Sequence, residues 1–177
     1  MKTLDRKTLQ RFLKLAGDKL SGRWLILGGT LLPLLGIEHR TTTDIDVAGL
    51  GEAERAQTFK LMEIAEELGL PVETINQAAA YFVAKIRPKD EDLVVLHQGK
   101  SATVYRPNVT LYLQLKSGRL NESDLLDCLE FLKLAKRTGE AVERRKLERF
   151  LSAEITRSEN EERSRRLKQL HAQILTF

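Results

Sequence analysis

The sequence predicts an α+β fold, in which a sheet is flanked by helices and followed by a helical C-terminal extension. Two patterns indicate this class. Short apolar or alternating runs of strand character lie between residues 24 and 106 and are separated by glycine-containing turns. Longer stretches place apolar residues at helical spacing, at residues 4–20, 52–68, 123–136 and 140–177. A chain of 177 residues, 42% of them hydrophobic, can bury one sizeable core.

The N-terminal elements follow from this spacing. Residues 4–20 are predicted to form an amphipathic helix, and the apolar run 24–27 a buried strand. Gly28-Gly29 then allows a sharp turn and the close approach of a ligand. Thr30 is expected to be the N-cap of a short helix that ends at Gly36. Free N–H groups at such a helix start favour an anion, typically phosphate.

Residues 41–47 have strand propensity and a period of two. Asp44 and Asp46 are therefore predicted to lie on one face, with Cα atoms roughly 6.5 Å apart. Ile45 and Val47 would point into the core. Two carboxylates at this separation repel each other unless a cation lies between them. A hard divalent ion, Mg²⁺ or Mn²⁺, is the natural partner of such a pair and would also hold the phosphates of a nucleotide.

The middle of the chain contains a helix and a hairpin. Residues 52–68 predict a helix that buries Phe59, with either Leu61 or Met62, and ends at Gly69. Residues 76–82 form either a short helix or an irregular segment. Phe82 is expected in the core. Three tyrosines could stack on a base or be core or half-buried residues, namely Tyr81, Tyr105 and Tyr112. Strands 93–97 and 101–106 are joined by Gly99-Lys100 in a predicted hairpin.

The C-terminal part is predicted to be mainly helical. The alternation in 109–115 favours a strand, 123–136 is a strong helix ended by Gly139, and the remainder forms one long or two shorter helices. We place a domain boundary here, with an α/β domain at 1–135 and a basic helical extension at 136–177.

The positive charge is concentrated at the C-terminal end. Residues 136–177 contain 11 Lys and Arg against 7 Asp and Glu, so the whole net charge of +4 lies there. These cations could contact RNA phosphates. The alternative is a solvated helix face with (i, i+4) pairs such as Glu159–Arg163 and Glu161–Arg165.

Composition excludes several classes of protein. The longest apolar run is far shorter than the ~20 residues that a membrane span requires, and the charged N-terminus does not resemble a signal peptide. The single cysteine, Cys128, lies in an apolar helical stretch and is expected to be buried. These features indicate a cytoplasmic protein without disulfides.

Gly28-Gly29-Thr30 followed by Asp44-Ile45-Asp46 resembles the signature of the DNA polymerase β-type nucleotidyltransferase superfamily. The longer run 26–47 is similar to a small bacterial branch that includes AbiEii-type toxins of toxin–antitoxin systems. The resemblance implies a nucleotidyltransferase-like mixed sheet, and it allows residues 109–115 to begin a helix instead of the strand that their alternation favours. It also implies that the glycine turn and Thr30 line the phosphates of a nucleoside triphosphate, and that the two aspartates hold the metal.

The resemblance assigns further residues. Related toxins use a lysine and a later aspartate, for which Lys116 and Asp124 (or Asp127) fit best. Independently of the resemblance, His39 and Arg40 lie just before the motif strand and are near enough to touch phosphates; the alternative for each is a polar loop residue. Lys116 could instead be solvated at an element end. Asp124 could instead help to cap the next helix, as could Asn121 and Ser123.

One departure concerns a third carboxylate. Members of the superfamily that use two metals usually supply a third acid from a later strand, and neither hairpin strand carries one in its body. Glu73 is the best remaining candidate. The resemblance implies a metal-dependent nucleotidyltransferase, with an RNA such as tRNA or a protein as acceptor and an antitoxin as partner. The alternative is an inactive module of the same fold that binds a nucleotide or a partner protein.

Overall fold

The computed structural model describes residues 3–37 and 41–177, and the chain divides into two compact units, Met1–Pro107 and Asn108–Phe177. This division follows from the compactness of each unit and does not test where domains begin and end. The domain boundary predicted between residues 135 and 136 therefore stays a prediction. The helices of the first unit are α1 (Arg6–Lys19), α2 (Leu31–Leu34), α3 (Glu52–Arg55), α4 (Thr58–Glu67) and α5 (Ala80–Ile86).

A mixed sheet forms the centre of the first unit. Within the described ranges its five strands are β1 (Gly22–Ile26), β2 (Ile45–Gly49), β3 (Ile75–Asn76), β4 (Leu93–Gln98) and β5 (Ala102–Pro107), in the order β3-β2-β1-β5-β4. The pairs β1–β5 and β2–β3 are parallel, whereas β1–β2 and β4–β5 are antiparallel. The antiparallel β4–β5 pair confirms the predicted hairpin.

Helix α1 packs against the hairpin strands through a close backbone contact. A Cβ atom added at Gly99, in the hairpin turn, would lie 2.1 Å from the carbonyl carbon of Gly17. The N–H of Ser101 donates to the carbonyl oxygen of Gly17 at 3.0 Å. Glycine at both positions therefore allows the two backbones to meet directly. The apolar face of α1 joins the core under the sheet, together with Trp24, Ile45 and Val104.

The second unit is helical throughout its regular structure. It contains α6 (Val109–Ser117), α7 (Glu122–Thr138), α8 (Arg144–Arg157) and α9 (Glu161–Leu175). Gly139 ends α7 with a φ of +72°, as the sequence predicts. The core of this unit is built from buried side chains of all four helices, among them Tyr112, Phe131, Leu147, Leu151, Leu167 and Leu170.

Two sequence predictions about local structure are wrong. Residues 109–115 are helical rather than extended, because Asn108 caps a helix whose residues from Val109 to Leu113 are all buried. Burial on every side removes the amphipathic period that identifies a helix in sequence. Phe59 and Phe82, predicted in the core, are 80% and 56% exposed. Of the two alternatives Leu61 and Met62, Leu61 is the buried one.

The α+β class is confirmed by a mixed sheet with flanking helices and a helical C-terminal stretch. Among the described residues, none of the helices combines the length and the apolar character that crossing a lipid bilayer would require.

Candidate functional site: a glycine turn joined to an aspartate strand

The hydroxyl of Thr30 joins the glycine turn to the strand that carries the two aspartates. It donates to the carbonyl oxygen of Asp44 at 2.9 Å and accepts from the N–H of Asp46 at 2.9 Å. The N–H of Leu27 also donates to the carbonyl oxygen of Asp46 at 2.9 Å. The end of β1 and the start of β2 are thus held together by both backbone and side-chain hydrogen bonds.

Thr30 does not cap α2 as predicted. Its own backbone is helical (φ −58°, ψ −34°) and its side chain makes no cap hydrogen bond, because the hydroxyl is engaged by β2. Gly28–Thr30 form a 3₁₀ turn and α2 has only four residues. The dipole of so short a helix contributes little to anion binding. Gly29 and Thr30 are buried and Gly28 is half-buried, so Gly28 is the part of the turn that could meet a phosphate.

The Asp46 carboxylate lies against Gly28. A Cβ atom at Gly28 would lie 1.9 Å from Asp46 Oδ2, and the φ of +60° is itself strained for any other residue. The side-chain amide of Asn76 donates to Asp46 Oδ1 at 2.8 Å. The parallel register of β2 and β3 pairs these two residues directly. Glycine at 28 and an amide at 76 therefore fix where the carboxylate sits.

Asp44 lies just before β2 and is half-buried. Its backbone N–H and carbonyl are engaged by the hydroxyls of Thr42 and Thr30. Its carboxylate has no hydrogen-bond or ion-pair partner within residues 3–37 and 41–177. The site therefore combines one anchored carboxylate with one whose oxygens are available to a ligand.

A divalent ion fits this donor set only in part. Over the described stretches of chain, no group of three or more His, Cys, Asp or Glu side chains could hold a metal. Mg²⁺ commonly binds through one or two carboxylates together with substrate phosphates and water. Asp44 and Asp46 therefore suit a metal that arrives with a nucleotide better than a resident ion.

His39, Arg40 and Glu73 were also predicted to contribute to this site. His39 and Arg40, predicted near the phosphates, lie outside the described residues. Glu73, the candidate third acid, is exposed in a 3₁₀ turn that precedes β3. The β3 residue that pairs with Asp46 is Asn76, an amide rather than an acid.

Lys116 and Asp124 belong to the second unit, where they contact each other. Lys116 Nζ lies 2.8 Å from Asp124 Oδ1 and 2.9 Å from Asp127 Oδ2. The lysine side chain is only 10% exposed, and both aspartates are buried. The alternative of a solvated Lys116 is therefore wrong. Its role as a phosphate clamp stays a prediction.

Asp124 also takes part in helix capping, as one of the sequence alternatives proposed. Asn121 is the N-cap of α7 and accepts from the N–H of Asp124, while Asp124 Oδ2 accepts from the N–H of Asn121. Arg119 donates two hydrogen bonds to the same carboxylate, at 2.8 and 3.0 Å. Burial alone would raise the pKa of Asp124, but the bonds from Arg119 and Lys116 outweigh it and lower the pKa.

The basic C-terminal helices use part of their charge within their own unit. Arg163 pairs with Glu154, not with Glu159 as predicted, and donates to the carbonyl oxygen of Ser117 at 2.8 Å. Arg166 donates to the carbonyl oxygen of Leu120 at 2.6 Å. These arginines therefore satisfy carbonyl groups at and just beyond the end of α6.

Cys128 is fully buried and burial raises the pKa of its thiol, so it is a core residue as the sequence indicated.

Sequence reasoning missed Asn76 as a partner of Asp46 and missed Arg119 as a partner of Asp124. The separation of Lys116, Arg119 and Asp124 would have suggested an ion-pair cluster only if 109–117 had been recognised as a helix.

Comparison of the chain with known protein families, with curated proteins and with solved structures finds no match.

Proposed function

We propose that the protein is a metal-dependent nucleotidyltransferase that uses the glycine turn and the Asp44–Asp46 strand. The observation that carries the proposal is the Thr30 hydroxyl, which joins the two parts of the motif by hydrogen bonds at 2.9 Å. A motif that served only as a turn would not need its two halves held in this way. The carboxylate of Asp44, which has no partner among the described residues, supports the same proposal.

The reaction transfers a nucleoside monophosphate from a nucleoside triphosphate to an acceptor hydroxyl. A bond forms between the acceptor oxygen and the α-phosphorus, the α–β phosphoanhydride bond breaks, and pyrophosphate leaves. The proton of the hydroxyl passes to solvent or to a carboxylate such as Asp44. The work of the protein is mainly to position the phosphates and to exclude wrong geometries.

Asp44 and Asp46 would hold Mg²⁺ or Mn²⁺, which neutralises phosphate charge when bound. The Asn76 amide keeps the Asp46 carboxylate in place. The backbone of Gly28 would lie along the phosphates, since a Cβ atom at this position would collide with the Asp46 carboxylate.

A second candidate is a module that binds a nucleotide without transferring it. It is favoured by the Asn76–Asp46 contact, because one of the two carboxylates is already committed to a protein donor. Under this alternative, Asp44 alone would face the metal–nucleotide complex.

The experiment measures thermal unfolding of the wild type, of Asp44→Asn/Asp46→Asn and of the control Asp90→Asn, with and without Mg²⁺ and each nucleoside triphosphate. We expect stabilisation of the wild type and of the control only when metal and nucleotide are both present. Transfer of α-phosphate label to total RNA would then identify the enzyme. Stabilisation without transfer would identify the binding module, and no stabilisation at all would contradict both.

A cytoplasmic location is part of the proposal, because nucleoside triphosphates and RNA are found there and the only thiol is buried. An antitoxin partner enters the proposal through the sequence resemblance alone.

A further inference from the structure

Helix α5 presents two aromatic side chains to solvent. Tyr81 is 71% exposed and Phe82 is 56% exposed, and their rings form an edge-to-face pair with centroids 5.5 Å apart. The opposite side of the helix is anchored by Val83, which is 3% exposed. Adjacent exposed aromatic rings on a helix anchored in this way are unusual for side chains whose role is packing.

The same helix presents unpaired positive charge. Lys85 lies four residues after Tyr81 and so shares its ridge on the helix. Arg87 follows at the C-terminal cap. Both are exposed, and neither has a hydrogen-bonded side chain or an ion pair within the parts of the chain that the structure describes. Residues 77–89 contain three basic residues and no acidic one.

The position of α5 relates it to the candidate site. The helix begins four residues after Asn76, whose amide holds Asp46, and it packs against β2, the strand that carries Asp46. The turn before α5 is tied to the start of α4 by a 3.4 Å hydrogen bond from Gln77 to Thr58. The exposed aromatic face therefore lies on an element in direct contact with the aspartate strand.

We propose that Tyr81, Phe82, Lys85 and Arg87 form a docking surface for single-stranded RNA. Base stacking on exposed aromatic rings, combined with cations for the phosphates, is the common means of binding single strands without sequence preference. A hydrophobic protein partner would not require the two unpaired cations, whereas a polyanion does. The role of this surface as the acceptor site of the reaction rests on the proposed function. Its ability to bind RNA can be tested separately.

The experiment measures the binding of a fluorescent, unstructured RNA 12-mer by anisotropy, without metal or nucleotide. Tyr81→Ala/Phe82→Ala should weaken binding about 10- to 100-fold, and Tyr81→Trp/Phe82→Trp should retain it. Lys85→Ala/Arg87→Ala should reduce the slope of log Kd against log salt by about 1.4. Phe59→Ala is the matched control, because Phe59 is an 80% exposed aromatic on α4, and it should bind RNA like the wild type. Thermal unfolding of each variant checks that the fold is retained.

The inference would be overturned by no RNA binding of the wild type, by equal binding of the alanine pair on α5, or by an equal loss in Phe59→Ala. A duplex RNA that binds as tightly as the single strand would also overturn it, because its bases are not free to stack. Asp44→Asn/Asp46→Asn should bind RNA normally while losing the metal–nucleotide stabilisation. RNA binding and nucleotide binding can therefore fail separately, and each failure identifies which proposal is wrong.

Discussion

The backbone N–H of Asp46 donates a 2.9 Å hydrogen bond to the hydroxyl of Thr30, 16 positions earlier in the chain. This side chain is 1% exposed, and no other residue type of similar size offers both a donor and an acceptor with a methyl group. This hydroxyl therefore helps to fix the aspartate strand relative to the glycine turn, together with the backbone hydrogen bond from Leu27 to Asp46.

Thr30→Val should lower the free energy of unfolding by about 1–3 kcal/mol, because it leaves the N–H of Asp46 without this acceptor. The carbonyl of Asp44 would still accept from Thr42 at 3.0 Å. Thr30→Ser, which keeps the hydroxyl, should lose less. Urea unfolding of both variants measures the difference, and equal losses would contradict the role of the hydroxyl.

Gly28→Ala should be more destabilising than Gly69→Ala. Both glycines have positive φ, +60° and +67°, so both substitutions incur a backbone cost of about 1–2 kcal/mol. Only at Gly28 does the added Cβ meet a side chain, Asp46, whereas nothing lies within 4 Å at Gly69. A larger loss of unfolding free energy in Gly28→Ala, together with loss of the stabilisation by metal and nucleotide, would show that the Asp46 carboxylate has been displaced. Equal unfolding free energies would contradict the contact.

Asn76→Asp should make the fold dependent on a divalent cation. It replaces the amide that lies 2.8 Å from Asp46 with a second carboxylate, and like charges at this distance repel. We expect a lower melting temperature in EDTA than in the wild type, and a larger rise on addition of Mn²⁺ or Mg²⁺. Asn76→Leu, which removes the hydrogen bond without adding charge, is the control and should not respond to the metal. An unchanged response of Asn76→Asp would show that these side chains do not share a ligand.

Lys116→Met should lower the free energy of unfolding by about 3–5 kcal/mol, because it removes the cation that two buried aspartates share. Lys133→Met is the matched control, since Lys133 is 69% exposed and pairs with Glu130 on the same helix; its loss should be below about 1 kcal/mol. If Lys116→Met were as stable as the control but inactive in label transfer, the lysine would be a phosphate clamp and not a structural ion-pair partner.

Acid should weaken the contribution of Asp124. Its pKa is lowered in the folded protein relative to the ordinary 3.8, so the unfolded chain binds the proton more readily. The stabilisation is therefore complete above about pH 4 and is lost as the pH falls through the lowered folded value. Asp124→Asn lacks this contribution, so its deficit in unfolding free energy relative to wild type should shrink between pH 7 and pH 3. A constant deficit would contradict the charge-based explanation.

The glycine turn and the two aspartates could be identified from sequence because their spacing is typical of a phosphate and metal site. The residues that contact them could not be identified in this way. Asn76 contacts Asp46 through the parallel pairing of β2 with a two-residue strand. So short a strand leaves no periodic pattern. Thr30 was assigned to the helix that it precedes, because local rules cannot detect an acceptor 16 positions away. Its hydroxyl serves the strand instead.

The exposed aromatics show a second limit. Phe59 and Phe82 were predicted in the core because composition assigns aromatic residues to the interior, and the structure exposes both. For 109–115, burial on every side removed the helical period and left an accidental alternation. In each case the prediction needed to know which face of the helix the rest of the fold covers. A local sequence pattern does not contain that information.

The direct meeting of Gly17 and Gly99 has a consequence for the order of events during synthesis. The hydrogen bond from the N–H of Lys100 to Asp18 joins positions 82 residues apart. At a translation rate of about 5–20 residues per second, the first helix leaves the ribosome several seconds before the hairpin that completes its surroundings exists. During that interval its apolar face lacks the part of the core that Ala102 and Val104 supply, so nascent chains arrested before the hairpin emerges should be the ones that bind chaperones.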